Sequence, residues 1–174
     1  MAAPTRPEFT ELVARFGREL YVFLWRMLSN EQDAEDCLQE AFLRAYRAYP
    51  RMQGEVNFRA WLYRIAGNTA RTQLKRRLRR DGREIDLPDE ESAASHRSGP
   101  ADDGLELRER LGAVRAAVRG LPFKQQQSLI LRKYQGLSYA EIGAALDCSP
   151  ESARANVYQA LRRLRSELAV ERQE

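Results

Sequence analysis

The chain has 174 residues, with 29 Lys and Arg against 25 Asp and Glu, a formal net charge of +4 and 43% hydrophobic residues. That is apolar enough for packed cores and excludes a wholly disordered chain, and no apolar run reaches the ~18–20 residues of a membrane-spanning helix. One histidine, His96, and two cysteines, Cys37 and Cys148, exclude a His/Cys zinc site and a secreted-type disulfide framework.

No apolar signal core occupies residues 1–7, so the expectation is a reduced, cytoplasmic protein with no membrane segment, metal or cofactor. Charge is unevenly spread. Residues 1–80 hold 15 basic and 9 acidic side chains, residues 81–110 hold 4 and 10, and residues 111–174 hold 10 and 6. Two basic blocks flanking an acidic one suit a polyanion partner, and equally two helical domains with solvated faces.

In chain order, apolar residues from Phe9 through Phe16, Leu20, Phe23, Leu24, Met27 and Leu28 recur at steps of three and four, which predicts a helix burying one face. Asn30 is placed to cap a second helix. Its acidic start (Glu31, Asp33, Glu35, Asp36) and basic end (Arg44, Arg47) complement the helix dipole, and Pro50 stops it. After a loop, Arg51–Asn57, a third helix runs from about Phe58 to Arg80, with Trp61, Leu62, Ile65, Ala66, Thr69 and Ala70 as its packed stripe.

Residues 81–104 are rich in acid, Gly, Pro and Ser and read as a flexible acidic linker. Helical patterns resume at Leu105–Val118 and Phe123–Tyr134, with Gly136 suited to a left-handed cap. Ser138-Tyr139-Ala140-Glu141 is a capping box opening a short helix to about Leu146. Asp147-Cys148-Ser149 is a tight turn, after which Ser149 caps and Pro150 begins a last helix reaching about Glu171. The fold class is all-α: two small helical domains, 8–80 and 105–172, joined by the linker.

A short helix, a tight turn and a longer basic helix form a helix-turn-helix. Its expected core is Ala140, Ile142, Gly143, Leu146, Ala153, Val157 and Leu161, with Gly143 and Ala144 letting the helices approach. Glu151, Ser152, Arg154, Ala155, Tyr158, Gln159 and Arg162 then face outward, where Arg can read guanine and Gln adenine in the major groove; Arg162, Arg163 and Arg165 suit phosphates.

The stretch Arg71–Arg80 carries six basic and no acidic residues, more than a helix end requires, and suits phosphate contact. Nearby Phe58 and Tyr63 are candidates to stack on unpaired bases, whereas Trp61 belongs to the apolar stripe. In the second helix Asp36, Gln39, Glu40 and Leu43 share one face, which fits a protein partner or a plain solvated surface. No His, Ser or Cys nucleophile arrangement accompanies these carboxylates, so no enzymatic chemistry is expected. Cys37 and Cys148 read as small core residues.

Three stretches in this order resemble the extracytoplasmic-function (ECF) sigma factors of bacterial RNA polymerase: Asp33–Tyr46, Phe58–Arg71, and Leu121-Pro122 with Gly136–Gly143 and Ser149–Arg165. The resemblance implies that Asp36, Gln39 and Glu40 bind core RNA polymerase, and Leu43 joins them by its spacing on the same face. It implies that the loop residues Met52, Gln53 and Asn57 capture a base flipped from the −10 element of promoter DNA. Asn68, Arg71 and Lys75 would meet the same strand; the basic run separately places Arg76 and Arg79 as candidates for its phosphates. Arg154, Ala155, Tyr158 and Gln159 would read the −35 element as duplex, with Ser152 and Arg162 of the same outward face beside them, and the linker would thread the polymerase.

An anti-sigma factor is a usual partner in that family. The chain departs from the family pattern in Met52-Gln53-Gly54, where Phe-Arg-Gly is common, at Gln159, where Arg is frequent, and at Ala155, which is too small for a polar base contact. Two other readings stay open on sequence: a stand-alone helix-turn-helix regulator with a helical sensor domain, and an interaction protein that never touches DNA.

Overall fold

The computed structural model describes residues 6–80 and 103–170. Among them are seven α-helices and no strand: α1 (Phe9–Leu28), α2 (Glu31–Ala48), α3 (Phe58–Arg80), α4 (Asp103–Arg119), α5 (Phe123–Lys133), α6 (Tyr139–Leu146) and α7 (Pro150–Val170). All but the last two positions of the predicted linker lie outside the described residues.

The predicted caps form. Asn30 Oδ1 accepts the Asp33 N–H at 2.8 Å and starts α2, while Ser29, in the left-handed region at φ 52°, turns the chain out of α1. α2 ends before Pro50, which lies inside a short 3-10 turn, Tyr49–Arg51. This turn is tied down from the N-terminus: Arg6 stacks on the Tyr49 ring, and the Tyr49 hydroxyl donates to the Pro7 carbonyl.

α1, α2 and α3 pack on one another. Leu12, Phe16, Leu20, Phe23, Leu24 and Met27 of α1 are buried against Ala34, Cys37, Ala41 and Ala45 of α2 and Ala60, Leu62, Tyr63, Ala66 and Ala70 of α3. The stripe predicted for α3 is too narrow: Tyr63 and Gly67 are also buried, while Trp61 and Ile65 are only half-buried. Tyr63 sits edge-on to Phe23 with ring centroids 5.2 Å apart. This burial removes Tyr63 as a base-stacking candidate, and Phe58 is partly spent on Tyr49 and Trp61.

The C-terminal block is α4–α7, in which α5 and α6 pack on α7. The inward stripe of α7 is Ala153, Val157, Ala160 and Leu164. Leu161 is half-buried and Ala140 exposed, so neither has the full core role expected of it. Gly143 permits the tight turn, since a Cβ there would lie 2.6 Å from the Cys148 carbonyl oxygen. Asp147 turns the chain in the left-handed region at φ 56°.

That obstacle is backbone and cannot swing aside, so Gly143→Ala should cost about 1–3 kcal/mol by overpacking. Thermal melts of wild type and variant should show the loss, and an unchanged Tm would mean the turn is more compliant than it stands here. The two blocks also share apolar packing. Phe123, Ile130, Leu131, Leu137, Ile142 and Ala145 continue the core that α1–α3 begin.

Candidate nucleic-acid interface

The helix-turn-helix is rigidly capped. Ser138 Oγ accepts the Glu141 N–H at 3.2 Å, and Glu141 Oε2 takes the Ser138 N–H at 2.8 Å, completing the capping box. That backbone bond, then the Ser138 hydroxyl, holds the Glu141 carboxyl below its ordinary range. Ser149 Oγ accepts the Ser152 N–H at 3.1 Å and starts α7.

With Ala153, Val157 and Ala160 turned inward, Ser152, Arg154, Ala155, Tyr158, Gln159 and Arg162 are all exposed on one broad face. Tyr158 is 66% exposed, unusual for so large a ring. Such a surface joins hydrogen-bond donors, a planar apolar group and cations, the set used to read base edges and phosphates. Gln159 differs from the others, because its Oε1 accepts the Gln125 Nε2–H of α5 at 2.9 Å.

α2 presents a second open surface. Asp36, Gln39 and Leu43 are exposed and Glu40 half-exposed on one face. Leu43 is 52% exposed and Tyr46, three residues on, 61%. Tyr46 extends the face, and the i, i+3 spacing from Leu43 is the signal that finds it. Asp36 accepts from Gln32 at 3.1 Å and Glu40 from Arg44 at 2.7 Å, both local surface bonds. Cys37, one residue from Asp36, faces inward, and burial pushes its thiol up to about 11, so it is not a reactive thiolate. Burial raises Cys148 too.

The residues predicted to meet the −10 strand differ in exposure and in the contacts they already make. Asn57 Oδ1 is engaged as the N-cap of α3, accepting the Ala60 N–H at 3.0 Å. Met52 is half-buried, and its carbonyl accepts from Arg6, while Gln53 is exposed. Asn68 and Arg71 line a cavity of about 200 Å³ against Phe123, Lys124, Gln127 and Asp147 of the C-terminal block. Arg71 lies 5.8 Å from the Phe123 ring centre. Arg76 borders a different cavity of about 260 Å³, with Asp36, Cys37 and Glu40 of α2. Arg79 is exposed and Lys75 half-exposed.

The contact between the α1–α3 block and the C-terminal block includes specific polar bonds, which leave Asn68 exposed and Arg71 half-buried. Arg64 donates to the Ala144 carbonyl at 2.7 Å and to Asp147 at 3.1 Å. Arg59 forms a two-pronged pair with Glu19, both bonds at 3.0 Å, and reaches the Gln135 carbonyl at 2.9 Å. Gly67 lets α3 approach α5, since a Cβ there would overlap Gln127 Nε2. Arg26 stacks on Tyr134 with 3.9 Å to the ring centre. Periodicity within α3 gave no warning of this contact, whose partners lie more than fifty residues away.

Among the described residues no group of His, Cys, Asp and Glu could hold a metal ion, and no helix is long and apolar enough to cross a membrane.

Residues 12–80 match Sigma-70 region 2, and residues 111–164 match Sigma-70, region 4. The chain is 32% identical over 157 residues to the RNA polymerase sigma-H factor of Pseudomonas aeruginosa, an alignment covering 87% of this chain and 81% of the relative. It is 34% identical over 157 residues to the ECF RNA polymerase sigma-E factor of Escherichia coli K12, covering 87% and 82%. Among solved structures it is similar to the sigma factor RpoE of Bartonella quintana in complex with the anti-sigma factor NepR, at a TM-score of 0.67 and 26% identity, covering 93% of this chain and 97% of that one. The open acidic–apolar face of α2 and the exposed polar face of α7 thus lie in the two sigma regions, in the order those regions take along the chain, and the protein belongs to the ECF sigma factors of bacterial RNA polymerase.

Proposed function

We propose that the chain is a dissociable promoter-specificity subunit: α2 seats it on core RNA polymerase, α7 reads the −35 element as duplex, and α3 with the Arg51–Asn57 loop holds the melted −10 strand. The observation that carries this reading is the exposed set Ser152, Arg154, Tyr158, Gln159 and Arg162 on the second helix of a capped helix-turn-helix. The Sigma-70 region 2 match removes the reason for the stand-alone regulator, which needs no polymerase-binding helix. A sigma factor performs no covalent chemistry. Its place of work is the cytoplasm, with the polymerase. Anti-sigma control is part of the proposal, supported by the RpoE–NepR complex of a relative of the same fold.

α5 and α6 pack beside Asn68, which is exposed, and leave Arg71 half-buried against Phe123, so single-stranded DNA can reach Arg71 in full only after the C-terminal block leaves α3. The closed form is therefore one that has not yet engaged the −10 element. The linker, with eight acidic and two basic side chains over residues 81–104, is proposed to run through the polymerase once the blocks separate. Run-off transcription with core polymerase on a promoter library tests the whole reading. The expected result is a family of transcripts that depends on the chain and shares two upstream elements; transcription indifferent to the chain overturns it.

The phosphate role has its own signature. Replacing Lys75, Arg76 and Arg79 by glutamine should weaken holoenzyme–promoter binding on all sequences alike. The slope of log K against log salt should flatten by about one per lost contact. A changed sequence preference with an unchanged slope would contradict phosphate binding by these side chains.

A further inference from the structure

α5 contains a run of three glutamines, Gln125, Gln126 and Gln127, all buried. Glutamine is seldom buried without a task. Gln127 abuts Gly67. Gln125 is only 3% exposed, and its Nε2 donates to Oε1 of Gln159, a residue on the outward face of α7.

An amide has two unlike ends. A free glutamine can pair with adenine through both, Oε1 accepting from N6 and Nε2 donating to N7. In Gln159 the oxygen is turned into α5 and bonded. The two ends diverge from Cδ in one plane, so the end left for the major groove is the NH2, a donor without an acceptor beside it. Guanine offers two acceptors there, O6 and N7, whereas cytosine offers only the N4 donor.

We propose that Gln125 is a positioning residue for −35 specificity: by holding Gln159 Oε1 against α5 it makes Gln159 a donor-only reader, favouring guanine over adenine at the base it meets. This rests on the reading of α7 as the duplex-binding helix. Both residues lie in the C-terminal block, so the bond persists when that block leaves α3. Gln125 touches no base itself and acts through the orientation of Gln159.

The test is selection of −35 elements from a randomised pool by the full chain assembled with core polymerase, comparing wild type, Gln125→Met and Gln159→Ala. Methionine matches glutamine in length and fills the same space without an amide, freeing Gln159 to use both ends. Wild type should enrich guanine at one position that flattens in Gln159→Ala. At that position Gln125→Met should move the guanine-to-adenine ratio towards adenine by about tenfold, the scale of one base contact, and leave the other positions alone. A role in packing alone would lower the Tm and the yield without re-lettering a single position.

The proposal is overturned if Gln159→Ala leaves every position unchanged, or if Gln125→Met selects the same letters as wild type. Gln159 is exposed, so the Ala variant tests the first condition even if the Met variant folds poorly. A pool that no protein enriches would instead refute the assignment of α7 to duplex reading.

Discussion

Replacing Asp36 and Glu40 together by lysine is expected to lower affinity for core RNA polymerase by about 30- to 100-fold, the effect of losing an interfacial hot spot of roughly 2–3 kcal/mol. The cost to the fold should be much smaller. Both carboxylates are on the surface, and their partners Gln32 and Arg44 lie on the same helix one turn away. An exposed i, i+4 pair such as Glu40–Arg44 is worth about 0.3–0.5 kcal/mol. The reversed charges would also stand near Arg76, which borders the same cavity, adding some repulsion in high dielectric. None of these terms reaches the interfacial one, so binding should fail while helicity and cooperative melting persist. Leu43 and Tyr46 supply the apolar part of the same face, and their replacement by serine should lower affinity further without changing its salt dependence. Titration of labelled chain with core polymerase measures both. Undiminished co-purification of the double lysine variant would remove α2 from the interface.

Helix bounds were legible where local chemistry sets them. Asn30, Ser138 and Ser149 cap the helices that the sequence predicts from them, because a cap is decided within four residues. The faces of α3 and α7 were less legible. A one-stripe reading of α3 looks for an apolar row, but this helix is buried on two sides. The second side is filled by Gly67 and met by Gln127, residues that no hydrophobic pattern marks. In α7 the small Ala160 sits inward where the bulkier Leu161 was expected; size on the sequence outweighed angle on the helix, and angle decides.

The candidate site divides the same way. The α2 face and the outward face of α7 follow from spacing on single helices, and both are open. The half-burial of Arg71 depends on Phe123, Lys124, Gln127 and Asp147, brought there by tertiary packing across the predicted linker. The polar clasp there is weak: Asp147 is 87% exposed and Arg64 43%, and exposed pairs contribute about 0–1 kcal/mol. The shared apolar contact of Phe123, Ile130 and Leu137 with the α1–α3 core holds the blocks together more strongly than that pair. Opening therefore has to be driven by a larger competing surface, a role that the proposed polymerase contact of α2 would have to fill.

Arg154→Ala is expected to lower transcription about ten- to a hundredfold on the preferred −35 element, and to flatten preference at one base pair. Arg154 is one turn into α7, exposed, and clear of the buried row Ala153, Val157 and Ala160. A guanidinium there can reach O6 and N7 of a guanine with two parallel hydrogen bonds, a contact worth roughly 1–3 kcal/mol against a wrong base. The helix itself should not suffer, because alanine has the highest helix propensity and no buried contact is lost. A thermal melt unchanged within a degree or two separates this loss from unfolding. Arg162, two turns further along the exposed face, serves as the comparison. If it holds a phosphate, Arg162→Ala should weaken every promoter to a similar degree and leave the selected sequence alone. The two variants thus predict different signatures from the same chemical change: one letter lost with the salt slope unchanged, against a uniform loss with the slope flattened by about one. Should Arg154→Ala behave as Arg162→Ala is expected to, α7 would be gripping the backbone rather than reading the groove.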